Sequence, residues 1–514
     1  MAAITTAADF GVPAGFNAAA HFVDRHLDAG RGGKVAIECG DEHVTYAALA
    51  ERVNRCGSAL RESLEVRPEE RVVLLMLDTP AFLVAFFGAI KIGAVPVPLN
   101  TLWKPADYRH VLADSRARVA IVSEELLPKL EAIDRRDLPA LRHVVTAGRG
   151  LDTLLSTGSP RLDAESTSRD APAFWLYSSG STGAPKGCVH LQHDMVVCAE
   201  LFARGVLQLD EHDRCFSVAK LFFAYGLGNA GYFPLAVGAT SILMPGPPTA
   251  AAVLAAIDRH RPTVFFSVPT GFAMLLAQPG GFDLHSIRCA VSAGEALPAP
   301  LYERFRQRFG VDILDGLGST EALHIFTSNR PGAIRPGSSG LIVPGYAAAI
   351  LDERERPVPA GEIGDLWVSG DSICAGYWNQ HEKTKATIHG DWIRTGDRYR
   401  QDADGYFWPA GRSDDMLKVG GQWVSPIDVE TALLSHAAVL ECAVIGRDDS
   451  DGLAKPAAFV VLRPGVAGSA ALAVELQQFV RATLPEYKRP RWVEFLSELP
   501  RTPTGKLQRF RLRG

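Results

Sequence analysis

Apolar residues recur at helical spacing from 46 to 60, directly after Thr45, a hydroxyl residue suited to cap the first turn. Residues 71–77, RVVLLML, form a short apolar run after Arg71, of the kind left by a strand covered on both faces. Residues 81–92 then read as a helix, 94–98 as a strand, and 119–122 and 143–146 as two more strands. This alternation predicts a layered α/β domain with a largely parallel sheet. Residues 161–171 are polar and read as a surface connection. A strand at 173–177, a loop rich in glycine and serine, and a helix from 192 to 204 are expected next. Strands at 240–244, 264–267, 289–292 and 312–314 extend a second α/β stretch to residue 344.

From 345 to 409 the texture changes. Short apolar stretches alternate with Gly, Pro and Asp turns, as in PVPAGEIGDLWVSG, which predicts a small antiparallel or barrel-like section. The polar segment GRSDD, 411–415, follows, and the remaining residues carry their own mix of strands and helices, enough for a small α+β domain. The chain has no internal repeat and no low-complexity tract.

A length of 514 residues calls for more than one core, and 47% apolar with 22% charged residues argues against wholesale disorder. A net charge of -5 provides no general field for nucleic acid or an anionic membrane, so any anionic ligand must be held by a local site. No apolar run is long enough to span a bilayer. The N-terminal segment lacks the basic and apolar regions of a secretory signal. Eight scattered cysteines without a C-x-x-C pair read as thiols, not as a disulfide framework or zinc site. The expected compartment is the cytoplasm.

Four segments carry candidate chemistry. YSSGSTGAPKG, 177–187, places a loop of small hydroxyl and glycine residues after a strand, with Lys186 adding charge. Backbone N–H groups in such a loop approach an anion closely, which suits phosphates, although the spacing is not that of a Walker A loop. A plain surface loop is the competing reading. DGLGSTE, 315–321, sets Thr320 beside Glu321; a carboxylate next to a hydroxyl suits Mg²⁺, and a helix-initiating turn fits as well. RTGDR, 394–398, with Arg412 downstream, fits ribose hydroxyls or a hairpin turn with a salt bridge. The basic tail from Lys488 onward has eight Lys or Arg against two Glu, with Lys506 in PRTPTGKLQR; it reads either as a solvated tail or as an anion contact.

In this order and spacing the four segments resemble the adenylate-forming superfamily of acyl-CoA synthetases, luciferases and peptide-synthetase adenylation domains, over nearly the whole chain. The resemblance implies a large N-terminal domain, 1–412, built of two α/β layered subdomains (1–170 and 171–344) and a distorted β-barrel (345–410). A small mobile α+β lid, 413–514, completes the implied fold. It also implies ATP and coenzyme A as substrates and Mg²⁺ as cofactor. Ser178, Ser179, Gly180, Ser181, Thr182, Gly183 and Lys186 are then expected to cradle the terminal phosphates. Asp315 and Gly316 complete the ATP set, Thr320 meets the α-phosphate, and Glu321 holds Mg²⁺. Asp397 and Arg412 bind the ribose. Lys506 bridges the carboxylate and the α-phosphate, Asp414 is the hinge, and Lys418, Gly420, Gly421 and Trp423 form the coenzyme A tunnel. Acetylation of Lys506 by a lysine acetyltransferase, reversed by a deacetylase, is the regulation implied.

LFFAYGLGN, 221–229, looks like the benzoate-CoA ligase branch of this superfamily. Ala224, Tyr225, Gly294, Gly318, His324 and Ile325 are expected around the substrate ring, with His324 donating to the carboxylate or a ring substituent. Plain core packing is the alternative for Phe222 and Phe223. Benzoate leads as the acid and 4-hydroxybenzoate follows; other substituted benzoates and cyclohexane carboxylates stay open. An aryl-acid adenylation enzyme that loads a carrier protein is a close rival, and a non-catalytic acyl-AMP-binding protein a rival of another class. Neither nucleic acid nor membrane is an expected partner, and the chain is expected to be a monomer or homodimer.

Overall fold

The computed structural model describes residues 4–178, 185–412, 415–419, 422–449, 453–501 and 507–512, without the side chains of Lys418, Gln422 and Trp423. Two parallel sheets form its larger part. The first orders Val95–Pro98, Arg71–Leu75, Val119–Ser123 and His143–Ala147, parallel throughout. The apolar runs at 71–75 and 119–123 sit at its centre, where both faces are covered.

The second sheet has nine strands. Its parallel middle runs Ile313–Gly318, Cys289–Ser292, Val264–Ser267, Arg214–Ser217, Thr240–Leu243 and Val35–Cys39. Antiparallel strands close both sides: Glu42–Thr45 at one, Ile325–Ser328 and Leu341–Ile342 at the other. The first two strands of the chain thus join the sheet built from residues 214–342, and the two α/β layers interleave along the sequence. The helix Tyr46–Glu62 begins at Thr45, whose hydroxyl accepts from the Ala48 amide at 3.2 Å, as its pattern predicts. It crosses the almost wholly buried helix Pro80–Lys91 at Gly57 and Gly88. A Cβ on Gly57 would lie 2.8 Å from the Gly88 carbonyl, so this close approach requires glycine.

The glycine- and serine-rich loop does not lead straight into a helix. Lys186–Leu191 is a strand paired antiparallel with Pro172–Ser178, Ser178 opposite Lys186, and with Gly376–Tyr377 on its other side. The helix expected over 192–204 follows as Asp194–Cys198, continued by a π-helical stretch Ala199–Arg204.

Residues 347–412 supply the expected antiparallel section, a five-stranded sheet from Ala347–Leu351, Gly364–Ser369, Ile388–His389, Trp392–Gln401 and Phe407–Arg412. The C-terminal α+β part pairs Val439–Asp448 with Ala454–Leu462 and then, in parallel, Trp492–Leu496. Helices Pro426–Leu434 and Ala470–Thr483 cover this sheet, and Val429, Leu433, Val444, Val460, Leu476 and Val480 form a core of their own. No helix of the described residues is long and apolar enough to cross a membrane.

Candidate active site

Period-two alternation along Lys186–Leu191 turns Lys186, Cys188 and His190 toward one face. That face meets the turn after Gly318. The Lys186 ammonium lies 3.3 Å from Oε1 of Glu321 and donates to the Tyr377 hydroxyl at 2.6 Å; that hydroxyl donates to the same Glu321 oxygen at 2.7 Å. The Lys186 ammonium also sits 3.8 Å from the Tyr377 ring centroid. Burial alone would raise the Glu321 pKa, but the Lys186 charge and the Tyr377 hydrogen bond outweigh it and hold the carboxyl below its ordinary range. Glu321 is therefore an ionised carboxylate at neutral pH.

The turn itself is clamped through its backbone. His190 Nε2 donates to the Thr320 carbonyl at 2.8 Å, the Cys374 amide to the Glu321 carbonyl at 2.7 Å, and the Ser372 hydroxyl to the Ala322 carbonyl at 2.9 Å. The glycines of DGLG lie inside the strand Ile313–Gly318, and no helix starts at Ser-Thr-Glu; the segment turns directly into Ile325–Ser328. A β-carbon on Gly316 would lie 2.7 Å from the Thr327 carbonyl, and one on Gly318 would lie 2.4 Å from that of His324.

Asp315 is buried, and desolvation drives its carboxyl well above the carboxylate range; its own carbonyl takes the Asn329 amide at 2.9 Å. Ser178 ends its strand with its hydroxyl 3.8 Å from the Cys188 sulfur. Ser179, Gly180, Ser181, Thr182 and Gly183 lie outside the described residues, as do Asp414, Gly420, Gly421 and Lys506. Lys418 and Trp423 stand opposite each other in a two-stranded hairpin, Leu417–Val419 with Gln422–Val424.

RTGDR is neither a free loop nor a hairpin tip. It occupies the middle of the strand Trp392–Gln401, which bulges there: Gly396 has φ +76° and register shifts next to Arg398. The bulge turns Asp397 toward its cross-strand partner Arg412, which donates to it at 2.8 Å and to the Thr395 carbonyl at 3.2 Å.

Of the expected ring contacts, Ala224 and Tyr225 open the short helix Ala224–Leu227. The amide of Leu221, at the start of this segment, donates 3.2 Å to the buried Asp78 carboxyl, whose pKa burial raises to about 6 despite Lys220 at 3.9 Å. The Tyr225 hydroxyl donates to the ends of two strands, to the Val291 carbonyl at 3.0 Å and the Ser267 carbonyl at 3.2 Å. Gly294 follows the first of these strands with φ +89°, a conformation that favours glycine. Tyr225 and His324 rings stand 5.6 Å apart, and Ile325 begins the next strand. Phe222 is buried against Phe223, with ring centroids 4.4 Å apart.

His324 is packed among Phe202, Phe233 and Tyr225, and its pKa falls to about 3 because burial disfavours the charged ring. Its Nε2 lies 3.3 Å from the Tyr225 carbonyl and 3.1 Å from Asn229 Oδ1. Both are acceptors, so Nε2 carries the proton and Nδ1, buried without a partner among the described residues, is an acceptor. His324 therefore does not donate to a substrate carboxylate or ring substituent, as the sequence led one to expect; its single N–H is committed to the protein.

The described residues contain no cluster of three or more His, Cys, Asp or Glu able to hold a metal by themselves. One ionised carboxylate beside the Lys186 ammonium is nonetheless the donor set that Mg²⁺ takes when nucleotide phosphates and water supply its other ligands, so Glu321 fits that ion. Sequence reasoning missed Tyr377, His190 and Asp194; none lies in a segment with distinctive spacing.

Residues 24–378 match the AMP-binding enzyme family and residues 428–506 match the AMP-binding enzyme C-terminal domain. The chain is 52% identical to a benzoate–CoA ligase of Thauera aromatica over 512 residues, covering 98% of this chain and 96% of that protein. Among solved structures, the anthranilate CoA ligase AuaEII in complex with anthranoyl-AMP superposes with a TM-score of 0.95 at 45% identity, covering 99% of this chain and 98% of that one. A benzoate CoA ligase from Burkholderia xenovorans LB400 superposes with a TM-score of 0.90 at 47% identity, covering 97% and 100%.

Proposed function

The chain belongs to the AMP-binding enzyme family, and from that premise we propose that it is an AMP-forming aryl-CoA ligase acting on benzoate. Benzoate, ATP and coenzyme A would yield benzoyl-CoA, AMP and pyrophosphate. In the first step a benzoate oxygen attacks the α-phosphorus of ATP, and the bond to the β-phosphate oxygen breaks as pyrophosphate leaves. In the second the coenzyme A thiolate attacks the acyl carbon and AMP departs. The enzyme forms no covalent bond to substrate; it positions the reactants and neutralises charge.

Lys186 sits at the start of the strand that follows the phosphate loop, where its charge meets the terminal phosphates. Thr320 and Glu321 face the same place from the clamped turn. Mg²⁺ held by Glu321 and the phosphates would offset the charge of the leaving pyrophosphate. Asp397, braced by Arg412, accepts from the ribose hydroxyls. Lys506 is assigned the bridge between the carboxylate and the α-phosphate.

The observation that carries the choice of acid is the saturation of the pocket's donors. Among Ala224, Tyr225, Gly294, Gly318, His324 and Ile325, the side-chain donors are the Tyr225 hydroxyl and His324 Nε2, and both are spent on protein acceptors. What these residues offer a substrate is ring faces, methyl groups, backbone and one acceptor, His324 Nδ1, but no side-chain donor. Such a lining suits an unsubstituted ring, because a buried ring substituent that must accept a hydrogen bond and finds no donor costs about 1–3 kcal/mol. The 52% identity to the Thauera benzoate–CoA ligase supports the same acid.

The test is a panel of benzoate, its 2-, 3- and 4-hydroxy and amino forms, cyclohexane carboxylate and a medium-chain fatty acid, each with ATP, Mg²⁺ and free coenzyme A. The expected result is highest kcat/KM for benzoate, with AMP and a thioester as products. Release of ADP, or an adenylate that free coenzyme A does not consume, would overturn the proposal.

A further inference from the structure

His190 has no part in the proposed reaction, yet it is fully buried and both its ring nitrogens are engaged. Nε2 is 2.8 Å from the Thr320 carbonyl, which can only accept, so the proton is on the ring. Nδ1 is 2.8 Å from Oδ2 of Asp194, itself fully buried, and that oxygen also takes the Leu191 amide at 3.1 Å. The imidazole lies against Phe174, with centroids 5.2 Å apart and planes inclined by 20°. Asp194, Leu191 and Phe174 thus fix the ring from one side, and it has a single remaining bond, to the turn that presents Thr320 and Glu321.

The same strand reaches this turn twice. Lys186 meets the Glu321 side chain, and His190, four residues on and on the same face, meets the Thr320 backbone. Cys374 and Ser372 hold the next two carbonyls from the opposite side, and both belong to the chain leading to Tyr377. Of the three donors on successive carbonyls, His190 is the one on the carbonyl of the residue assigned to the α-phosphate. It is also the one anchored to a buried carboxylate.

We propose that His190, oriented by Asp194, is a positioning residue that fixes the Thr320–Glu321 turn for Mg²⁺·ATP, and so serves the adenylating step far more than the thioester step. The inference rests on the roles given above to Thr320 and Glu321. Binding benzoyl-adenylate needs neither the terminal phosphates nor Mg²⁺ and keeps only the α-phosphate contact of Thr320, so a slack turn costs the second half-reaction much less than the first.

The variants are His190→Phe, which keeps the stack on Phe174 and loses the donor, and His190→Gln, which restores an amide donor. Three quantities are measured: benzoate-dependent ATP–pyrophosphate exchange, thioester formation from supplied benzoyl-adenylate, and Mg²⁺·ATP affinity by titration calorimetry. His190→Phe is expected to lose about 10- to 100-fold in exchange and in Mg²⁺·ATP affinity, with the thioester step within about threefold of wild type; His190→Gln recovers most of the loss. Equal losses in both half-reactions, no loss in either exchange or affinity, or a Gln variant as poor as Phe would overturn the assignment. Should the Phe variant not fold, Asp194→Ala decides, since it keeps the imidazole and removes its anchor: a loss in exchange and affinity that clearly exceeds the loss in the thioester step upholds the role, and a uniform loss removes it. If the wild type itself shows no benzoate-dependent exchange, the aryl-ligase reading falls, while the calorimetry still tests His190.

Discussion

The Tyr377 hydroxyl bonds both the Lys186 ammonium and the Glu321 carboxylate, 2.6 Å from one and 2.7 Å from the other, from a strand that pairs with the strand of Lys186. It shares hydrogen bonds with two opposite charges that already stand 3.3 Å apart, and so keeps them from closing further. A lysine collapsed onto its carboxylate is a poorer phosphate ligand, and the carboxylate a poorer metal ligand. Tyr377→Phe removes two hydrogen bonds to charged partners, each worth about 1.5–3 kcal/mol. The expected outcome is a fall in kcat/KM for ATP of about 10- to 100-fold, with KM for benzoate unchanged. Steady-state kinetics with each substrate varied in turn checks this, and an equal effect on both substrates would count against it.

The legible parts of the fold are those in which one short segment carries its own signal. RVVLLML is apolar after Arg71 because both faces of its strand are covered, and Thr45 caps the helix that its position announces. The strand Lys186–Leu191 was not legible: it starts with a charge and buries a histidine, and only the contacts with Asp194, four residues on, and with the distant Thr320 make that burial tolerable. The strands at 35–45 are short and partly polar, and their place beside Thr240–Leu243 depends on a partner some two hundred residues away. In the site, Lys186, Glu321, Asp397 and Arg412 stand out as charges beside glycines. Tyr377 and His190 do not, because what they do is defined by partners in other segments.

The close contact of Gly228 with His324 yields a second expectation. A β-carbon at 228 would lie 2.4 Å from Cδ2 and 2.7 Å from Nε2 of His324. The ring cannot retreat, since Phe202 and Phe233 stand 5.4 and 4.4 Å away by centroid. Gly228→Ala therefore forces His324 toward Tyr225 and the ring pocket. Overpacking of this kind costs about 1–3 kcal/mol in stability. The signature in activity is a raised KM for benzoate with KM for ATP near that of wild type. A variant that lost ATP affinity as well would show that the two pockets are not separable at this point.

His324 also makes a prediction about acid stability. Burial lowers its folded pKa to about 3 from an ordinary value of 6.5. Between these values the unfolded chain binds the proton and the folded chain does not. The contribution of the neutral ring is thus fully present above 6.5 and is lost as pH falls toward the folded value. In His324→Gln no such proton is taken up on unfolding. The stability gap between wild type and this variant, measured by urea unfolding, is expected to shrink by about 1.4 kcal/mol per pH unit below 6.5. A gap that stays constant from neutrality to pH 4.5 would mean that the ring is solvated in the folded protein.

In the proposed reaction the division of labour between the two half-reactions is assigned to Lys506, which lies outside the described residues. The described residues that flank it in sequence both reach the larger domain at one carboxylate. Arg501 comes within 3.7 Å of Glu295, and the Leu507 amide donates to the same oxygen at 3.3 Å, while Arg501 also pairs with Glu441 of its own domain at 3.2 Å. Glu295 is the immediate neighbour of Gly294, one of the residues assigned to the ring pocket. Lys506→Ala is expected to lose roughly 100-fold or more in ATP–pyrophosphate exchange, the scale of removing one donor to a transition-state charge. Thioester formation from supplied benzoyl-adenylate should persist, because the coenzyme A thiol attacks an acyl group already activated. Glu295→Gln should move in the same direction by a smaller factor, since it loosens the docking of the segment and leaves the lysine in place. Parallel loss of both half-reactions in either variant would mean that this contact is structural and that the lysine is not reserved for the first step.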